Sequence, residues 1–532
     1  MSHHLSAAIP YQDFMFKRLL SVGFFTLLSR ITGFARDILM AAVLGKGVLS
    51  DAFLVGFRFP NYFRAIFGEG TINPAFLPRY AALNTKGETE KAARFGDDVY
   101  SWQILTQGVL MIAALAAMPW IVRVMAPGFV SNPGQLELAT TLSRITFPYL
   151  ILTVVVVQLS AMLNAKEKFW AAAAWSNFLN LGMIATLLAA AWFPNAAFAA
   201  AWGVLVGGVL QFVFMLWASA REGVWLHLRF PRWTPEIKEF FVAVGAVTFG
   251  TASITISPFV DTIIASLLPA GSLTALYYAD RINQLPLGVL GIALGTVLLP
   301  EMSNRLARGD VAGSDAAQNR AASLALLFTL PFLAVFLAIP ATIMSAAFAH
   351  GAFDRSAAEL SAIALAAYGI GLPAMVLVRI VAATFYARHD TATPARATVT
   401  SIASNIAIKL VLVLGFHMGI AGIALGTALG AWVNVGALTW FSKRHGLLNV
   451  QPRFSRSVVP IVMAALAAGA GAYGGVAWAG GLALTAGTHI WILHVSTAAL
   501  RDLVSLGVAV VASCAGYGVV LLLFHRRLPF AR

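Results

Sequence analysis

Five arginines occupy positions in apolar stretches of the chain, where a neutral side chain is ordinarily found. They fall on three stretches and are Arg30, Arg36, Arg58, Arg64 and Arg281. The nearby acids are Asp37, Glu69 and Asp280, which leaves two positive charges unmatched. An ionised group at the centre of a membrane helix costs about 2.5–3.5 kcal/mol on insertion scales. We therefore expect these side chains to line a shared water-filled cavity and not to face lipid.

Arginine in such a cavity has a specific chemistry. Its planar fork binds phosphate oxygens in pairs, and it stays charged at any relevant pH. With a rise of about 1.5 Å per residue, Arg30, Arg64 and Glu69 should lie near the middle of the membrane. The remaining arginines should lie in its outer half. This cationic wall would suit an anion that carries a pyrophosphate.

A structural role is the alternative for the same residues. The ion pairs would be Arg36 or Arg30 with Asp37, Arg64 with Glu69, and Arg281 with Asp280. Arg58 is a separate case, because six residues place it about 120° around the helix from Arg64. It either faces the same cavity or extends outward along the helix.

Two further ionisable residues stand alone in apolar stretches. We hypothesise that Asp261 and Lys409 approach one another, with the lysine ammonium in the place of a coupling cation. A fixed buried salt bridge is the alternative.

The single cysteine, Cys514, excludes an intrachain disulfide and a multi-cysteine metal site, and we expect it to be buried. The residues suggest no enzyme, no metal site and no cofactor.

The elements that position these groups are membrane helices. Hydrophobic residues make up 59% of the 532 residues and charged residues 11%, about half the charged fraction of a soluble domain. A span needs roughly 20 apolar residues. The pattern predicts an all-α integral membrane protein with about fourteen spans: 17–44, 51–79, 99–125, 138–163, 170–193, 196–219, 238–268, 273–300, 319–346, 358–386, 395–416, 419–441, 457–480 and 500–524.

The net charge of +14 orients the chain and does not indicate nucleic acid. Most lysines and arginines fall in alternate links and in both tails, which is the positive-inside pattern. An even number of helices with both termini in the cytoplasm follows from this alternation. Several spans also contain a proline or glycine that interrupts them, at Pro60, Gly70, Pro74, Pro148, Pro258, Pro286 and Pro373. Such breaks persist where the freed backbone groups meet protein or a wet cavity.

Three sets of motifs resemble those of the MurJ (MviN) family of lipid II flippases, which belongs to the multidrug/oligosaccharidyl-lipid/polysaccharide exporter superfamily. The first set is 29–37 (SRITGFARD), 51–53 (DAF), 59–64 (FPNYFR), 67–70 (FGEG) and 75–78 (AFLP). The second is 277–281 (YYADR), 286–289 (PLGV) and 295–300 (GTVLLP), and the third is 385–390 (FYARHD) with 393–394 (TP). The resemblance covers essentially all fourteen spans.

The resemblance implies two six-helix lobes, 17–219 and 238–441, around a central cavity, with two additional C-terminal helices at 457–524. A weak echo between the end of the second span and the end of the eighth agrees with a six-helix repeat. The implied activity is alternating access that carries lipid II, an undecaprenyl-pyrophosphate disaccharide-pentapeptide, across the bacterial inner membrane. The family's cavity residues match Arg30, Arg36, Arg64 and Arg281, with Asp37, Asp51 and Glu69 as companions. Gln284 stands where the family often has an acid.

Other functions compete with this interpretation. A drug or polysaccharide-lipid exporter of the same superfamily is the nearest alternative, although a cationic drug would need a cavity of negative charge. A membrane-embedded transferase would need grouped carboxylates or histidines at a membrane face. A non-transporting scaffold of wall synthesis would need no buried arginines. Besides lipid II and membrane lipids, other cell-wall synthesis proteins are candidate partners.

Overall fold

The computed structural model describes residues 9–65, 72–447, 449–481, 489–490, 493–494 and 497–527. Within these residues the chain is almost entirely helical, as the apolar pattern predicts. It divides into two compact units, Met1–Leu267 and Leu268–Arg532.

Within the described residues, the first unit contains ten α-helices. They are α1 (Ile9–Leu44), α2 (Val48–Phe63), α3 (Ile72–Thr85), α4 (Thr89–Met125), α5 (Pro133–Thr146), α6 (Tyr149–Ala165), α7 (Phe169–Ala174), α8 (Ser176–Leu188), α9 (Ala196–Arg221) and α10 (Pro235–Ser266). By sequence order α10 is the seventh predicted span, yet it packs in this unit against α3 and α4. The ion pair of Arg79 with Glu239 and the edge-on contact of Trp102 with Phe241 fix it there.

The part of the second unit that the structure describes contains eight α-helices and one short pair of strands. The helices are α11 (Ser272–Ala307), α12 (Val311–Ala338), α13 (Pro340–Phe348), α14 (Arg355–Tyr386), α15 (Ala392–Leu410), α16 (Gly419–Arg444), α17 (Pro452–Gly480) and α18 (Thr497–Leu523). Strand β1 (His489–Ile490) pairs antiparallel with β2 (Leu493–His494), with His489 opposite His494. Helices α17 and α18 pack closely on each other, and α17 also packs on α12.

Each of the fourteen predicted spans coincides with one helix or with two consecutive helices. Ten helical segments within the described residues are long and apolar enough to cross a membrane. The four other predicted spans lie on α1, on α2 with α3, on α10 and on α11, and these four carry the five arginines and Asp261. The all-α membrane fold is therefore confirmed, and the count of fourteen stays a prediction.

The expectation of a buried Cys514 was wrong, because its side chain is exposed. It lies on α18, a helix whose most apolar window is only 6% buried within the protein. An apolar run in a membrane helix indicates contact with lipid as readily as contact with protein, so apolarity alone did not distinguish the two.

Glycines let particular pairs of helices approach closely. A Cβ atom on Gly182 of α8 would lie 2.5 Å from the Cα atom of Gly207 on α9. In the second unit, a Cβ atom on Gly430 of α16 would lie 2.6 Å from the Cβ atom of Asn405 on α15. Small residues at helix interfaces are the usual device for such contacts in membranes, where lipid removes the hydrophobic drive to associate. The same device joins α8 to α9 and α15 to α16.

The two units also share a way of holding the segment that follows a long helix. In the first, the strap that follows α9 (residues 224–234) is held on α4 by Asp97 and Ser101. The backbone N–H of His227 donates to Asp97 Oδ1 at 2.9 Å, and that of Arg229 donates to Ser101 Oγ at 2.9 Å. Arg229 Nε also lies 2.9 Å from Asp97 Oδ2.

In the second unit, the residues that follow α16 are held on α12 in the same way. Asn449 Nδ2 donates to Asp315 Oδ2 at 3.2 Å, and the backbone N–H of Gln451 donates to Asn319 Oδ1 at 3.2 Å. Asp315 and Asn319 are four residues apart, as are Asp97 and Ser101, so each pair presents two acceptors on one helix face. The repeated arrangement supports an internal repeat.

Replacing Asp97 with alanine is expected to speed tryptic cleavage of the strap at Arg229 and Arg232 by about tenfold or more. The substitution removes a buried acceptor of charge-assisted bonds, each worth about 1.5–3 kcal/mol, and so raises the population of the open strap. Time-resolved digestion of the purified chain measures the rate. Glu90→Ala on the same helix is the matched control, since it removes only an exposed pair with Arg94. Equal rates for both variants would contradict the prediction.

Candidate functional site

The most fully buried arginine of the predicted site is Arg36 on α1, which is 7% exposed. Its Nη2 and Nε atoms donate to Asp37 Oδ1 at 2.7 and 3.1 Å. Its Nη1 atom donates to Asn180 Oδ1 on α8 at 3.0 Å. The structural ion pair that the sequence offered as an alternative is thus present for Arg36 and Asp37. The third bond ties this pair to a second helix.

Asn180 is a site residue that the sequence reasoning missed. It is 5% exposed, and its Nδ2 atom donates to the carbonyl oxygen of Ser29 at 3.1 Å and to Thr32 Oγ1 at 3.0 Å. One turn earlier, Asn177 Nδ2 donates to the Ala174 carbonyl. A neutral amide in an apolar helix is not conspicuous in the way that a charged residue is. The spacing of Asn177 and Asn180, three residues apart on α8, could nevertheless have predicted a polar face that contacts another helix. Asn180 fixes the direction of the Arg36 guanidinium.

Asp51 is buried in the first turn of α2, with 2% of its surface exposed. An acid at this position is stabilised by the partial positive charge of the helix N-terminus. This gives Asp51 a structural reason to be there beside the role that the family resemblance implies. Its companion Glu69 lies outside the described residues, as do Gly70 and the rest of 66–71.

The arginines of α2 are half-buried and have polar neighbours. Arg58 Nη1 donates to Thr262 Oγ1 on α10 at 2.9 Å, so Arg58 reaches a neighbouring helix of its own unit. One turn later, the Tyr62 hydroxyl donates to the Pro258 carbonyl at 2.9 Å. Arg64 Nε donates to Asn61 Oδ1 at 3.3 Å. The Tyr62 hydroxyl therefore ties α2 to α10 at Pro258, one of the predicted proline breaks.

Arg30 and Asp261 complete the predicted residues of the first unit. Arg30 lies on an exposed face of α1 that also carries Leu27 and Ile31, which are each 59% exposed. Asp261 is half-buried on α10, next to the fully buried Thr262. Arg30 and Arg64 therefore both keep accessible surface although their segments are apolar.

In the second unit, Arg281 lies on α11 over the ring of Tyr277. Its Nη2 atom lies 3.0 Å from the Tyr277 hydroxyl, and its Cζ atom lies 4.6 Å from the ring centroid. Asp280 accepts a hydrogen bond from Gln284 Nε2, so the amide at position 284 contacts the carboxylate one turn before it. Tyr277 was not predicted as a site residue. Its hydroxyl and its ring face both meet the guanidinium, which is a common way of holding an arginine.

Lys409 on α15 is fully buried, with 0% of its surface exposed. Its side chain packs against Gly426 of α16. A Cβ atom on that glycine would lie only 2.3 Å from Lys409 Cγ. The glycine therefore makes the space for the lysine stem. The pairing of Lys409 with Asp261 stays a prediction. Within the described residues, no group of three His, Cys, Asp or Glu side chains is placed to hold a metal ion.

Comparison with known proteins places this geometry in context. A family model described as "Lipid II flippase MurJ" matches residues 40–495. A curated "Probable lipid II flippase MurJ" of Rhizobium tropici is 38% identical over 441 residues, which is 81% of each chain.

Two solved structures share the fold. One is titled "Lipid II flippase MurJ, inward closed conformation", with a TM-score of 0.77 and 22% identity over 95% of this chain and 99% of that one. The other is the inward-facing conformation of a multidrug resistance MATE family transporter of the MOP superfamily. It has a TM-score of 0.66 and 14% identity over 80% of this chain and 98% of that one.

Proposed function

The chain belongs to the lipid II flippase MurJ family, and we propose from that premise that it carries lipid II from the cytoplasmic to the periplasmic leaflet by alternating access. Lipid II has a pyrophosphate between its polyprenyl tail and its sugar-peptide head. The protein's part is to provide a polar path for that head and a conformational change, and it breaks no bond of the substrate.

The headgroup is bound by guanidinium groups. Arg30, Arg36, Arg58, Arg64 and Arg281 bind the pyrophosphate oxygens, with Asp37, Asp51 and Glu69 holding or balancing the arginines. The accessibility of Arg30 and Arg64 carries this proposal, because an accessible guanidinium in an apolar segment needs water or an anion beside it. Planar forks recognise phosphate oxygens in pairs. A cationic drug would be repelled by the same groups.

The chain is a helical membrane protein with several spans. We place it in the bacterial inner membrane with both termini in the cytoplasm. The basic character of alternate links supports this orientation, and the strap with Arg229 and Arg232 is one of them.

The six-helix repeats 17–219 and 238–441, followed by 457–524, are part of the same proposal. The matched straps on α4 and α12 and the matched glycine contacts of α8 with α9 and α15 with α16 support the repeat. Asp261 and Lys409 form a coupling or structural pair. Other proteins of cell-wall synthesis are proposed partners.

An accessibility assay for lipid II tests the binding residues. Cells depleted of the protein are complemented with Arg30→Ala, Arg64→Ala or Arg281→Ala, and periplasmic lipid II is measured per molecule of protein. Each variant is expected to lose about tenfold or more of export, as follows from a lost charge-assisted hydrogen bond of about 1.5–3 kcal/mol.

The matched control for this assay is Arg94→Ala. Arg94 is an exposed arginine on α4 that pairs with Glu90 outside the apolar part of the helix. It should export at the normal rate. Full export by all three site variants, at normal protein levels, would rule out the proposed binding residues.

A further inference from the structure

A cavity of about 970 Å³ lies at one end of the last two long helices of the second unit. Its lining includes Gln451, Arg453, Arg456, Val459, Arg526 and Arg527. The first four belong to the start of α17 and the residue before it, and the last two follow the end of α18. Neither the lipid II proposal nor the predicted site residues involve this cavity.

The packing of α17 on α18 explains why these arginines converge. A Cβ atom on Gly471 would lie 2.5 Å from the carbonyl oxygen of Ala512, and one on Gly516 would lie 2.8 Å from that of Ala467. Position 471 of α17 therefore lies beside position 512 of α18, and position 467 lies beside position 516, so the two helices run antiparallel in a constant register. The same antiparallel register, continued toward the start of α17, brings Arg456 level with Arg527.

The position of the cavity is fixed by a third helix. Ser457 Oγ lies 3.1 Å from Ser323 Oγ on α12, and both side chains are buried. Gln451, at the rim, is held through its backbone N–H by Asn319 on the same helix. Arg453 and Arg456 therefore project from anchored backbone.

The cavity is suited to an anion. Four arginines line it, and the lining residues that the structure describes contribute no carboxylate. Arg453, Arg456, Arg526 and Arg527 are all exposed, so each presents part of its side chain to the solvent in this cavity. Guanidinium groups bind phosphate oxygens through paired hydrogen bonds. Several guanidinium groups around one cavity favour a phosphate over a carboxylate, which carries only one negative charge.

An apolar surface continues from the cavity along both helices. On α17, Val459 lines the cavity and is 61% exposed, and Met463 and Leu466 follow it on the same face at 44% and 65%. On α18, Leu522 and Leu523 are 74% and 73% exposed, one turn before the two arginines. A ligand with a phosphate head and apolar chains matches this sequence of surfaces.

We propose that this cavity binds the headgroup of an anionic phospholipid, with the acyl chains along α17 and α18. The lipid comes from the leaflet that this end of the protein faces, which is the cytoplasmic leaflet in the orientation proposed above. Basic pockets between membrane helices bind anionic lipid headgroups in this way. A zwitterionic phospholipid is disfavoured, because its own cation would meet four arginines.

Native mass spectrometry of the purified full chain, titrated with phosphatidylglycerol or phosphatidylcholine, tests the proposal. The triple variant Arg456→Gln, Arg526→Gln and Arg527→Gln is compared with a control triple of equal charge change in the same unit, Arg308→Gln, Arg396→Gln and Arg444→Gln. The cavity variant is expected to lose at least tenfold in its tightest phosphatidylglycerol affinity. The control should stay within twofold of the unmodified chain, and phosphatidylcholine binding should not change in either.

Three results would overturn the proposal. Equal losses in the two triple variants would show that net charge alone attracts the lipid. Displacement of phosphatidylglycerol by millimolar inorganic phosphate would identify a site for the free anion. Displacement by lipid II, one for one, would identify a substrate site. Because the titration contains no lipid II until this last arm, failure here is distinct from failure of the export assay.

Discussion

Replacing Arg36 with alanine is expected to abolish lipid II export, with a loss of about a hundredfold or more per cell. The guanidinium is buried and holds the buried Asp37 carboxylate, so its removal takes a charged partner away from that carboxylate. Breaking such a pair by removing one partner costs about 3–5 kcal/mol. The same change removes one of the proposed pyrophosphate ligands. Periplasmic accessibility of lipid II and the amount of protein in the membrane are measured together.

A neutral double variant separates the two causes. Arg36→Gln with Asp37→Asn removes both charges and keeps side chains that can bond to each other and to Asn180. If Arg36 binds substrate, this variant should recover normal abundance while export per molecule stays low. Recovery of export together with abundance would show that Arg36 serves only the ion pair. Adding the single variants Arg36→Gln and Asp37→Asn completes a double-mutant cycle, which isolates the contribution of the pair from that of its surroundings.

Asn180→Leu gives an intermediate test of the same network. It leaves the pair of Arg36 with Asp37 intact and removes the acceptor of the 3.0 Å bond from Nη1. Export should fall by about three- to tenfold, in line with one hydrogen bond of about 0.5–1.5 kcal/mol. Asn180→Asp keeps an acceptor for Arg36 but loses the two bonds that Nδ2 donates, to the Ser29 carbonyl and to Thr32 Oγ1, so it should retain only part of the export. A merely structural asparagine would show loss of abundance and no loss per molecule.

The sequence predicted the helices better than the breaks between them. The length of each apolar run was sufficient to predict the spans, because a segment that crosses a membrane must form its backbone hydrogen bonds internally and therefore folds as a helix. Among the predicted breaks, Pro148 does separate α5 from α6, whereas Pro258 and Pro373 lie inside the unbroken helices α10 and α14. A proline's effect depends on whether neighbours satisfy the carbonyl that it frees. For Pro258 that carbonyl belongs to Ile254, four residues earlier, and no local pattern encodes what satisfies it.

The predictability of the candidate site has the same limit. Charge in an apolar span identified the arginines, because each charge has a large cost that the fold must offset. Their partners were predictable only when they were also charged, as Asp37 was. Tyr277 and Asn180 cost little on their own, and their importance arises from a contact with an arginine that other helices position.

Replacing Gly182 with valine is expected to separate α8 from α9 and to lower the Tm of the protein by roughly 3 °C. A Cβ atom there would lie 2.5 Å from both the Cα and the N atom of Gly207, and backbone atoms cannot rotate away. Overpacking costs about 1–3 kcal/mol where side chains can adjust, so this contact should reach the upper end of that range. Gly182→Ala should give a smaller shift in the same direction.

Gly108→Val on α4 is the matched control, because a Cβ atom there meets nothing within 4 Å and the change in helix propensity is the same. Thermal unfolding of both variants in the same detergent measures the difference, and equal Tm values would contradict the close contact of α8 with α9.

The Gly182→Val substitution also affects the candidate site, since Gly182 lies two residues from Asn180. If α8 moves, the bond from Arg36 to Asn180 is lost, and export per folded molecule should fall to the level of Asn180→Leu. A variant with lowered Tm but normal export per folded molecule would show that Arg36 is directed by Asp37 alone.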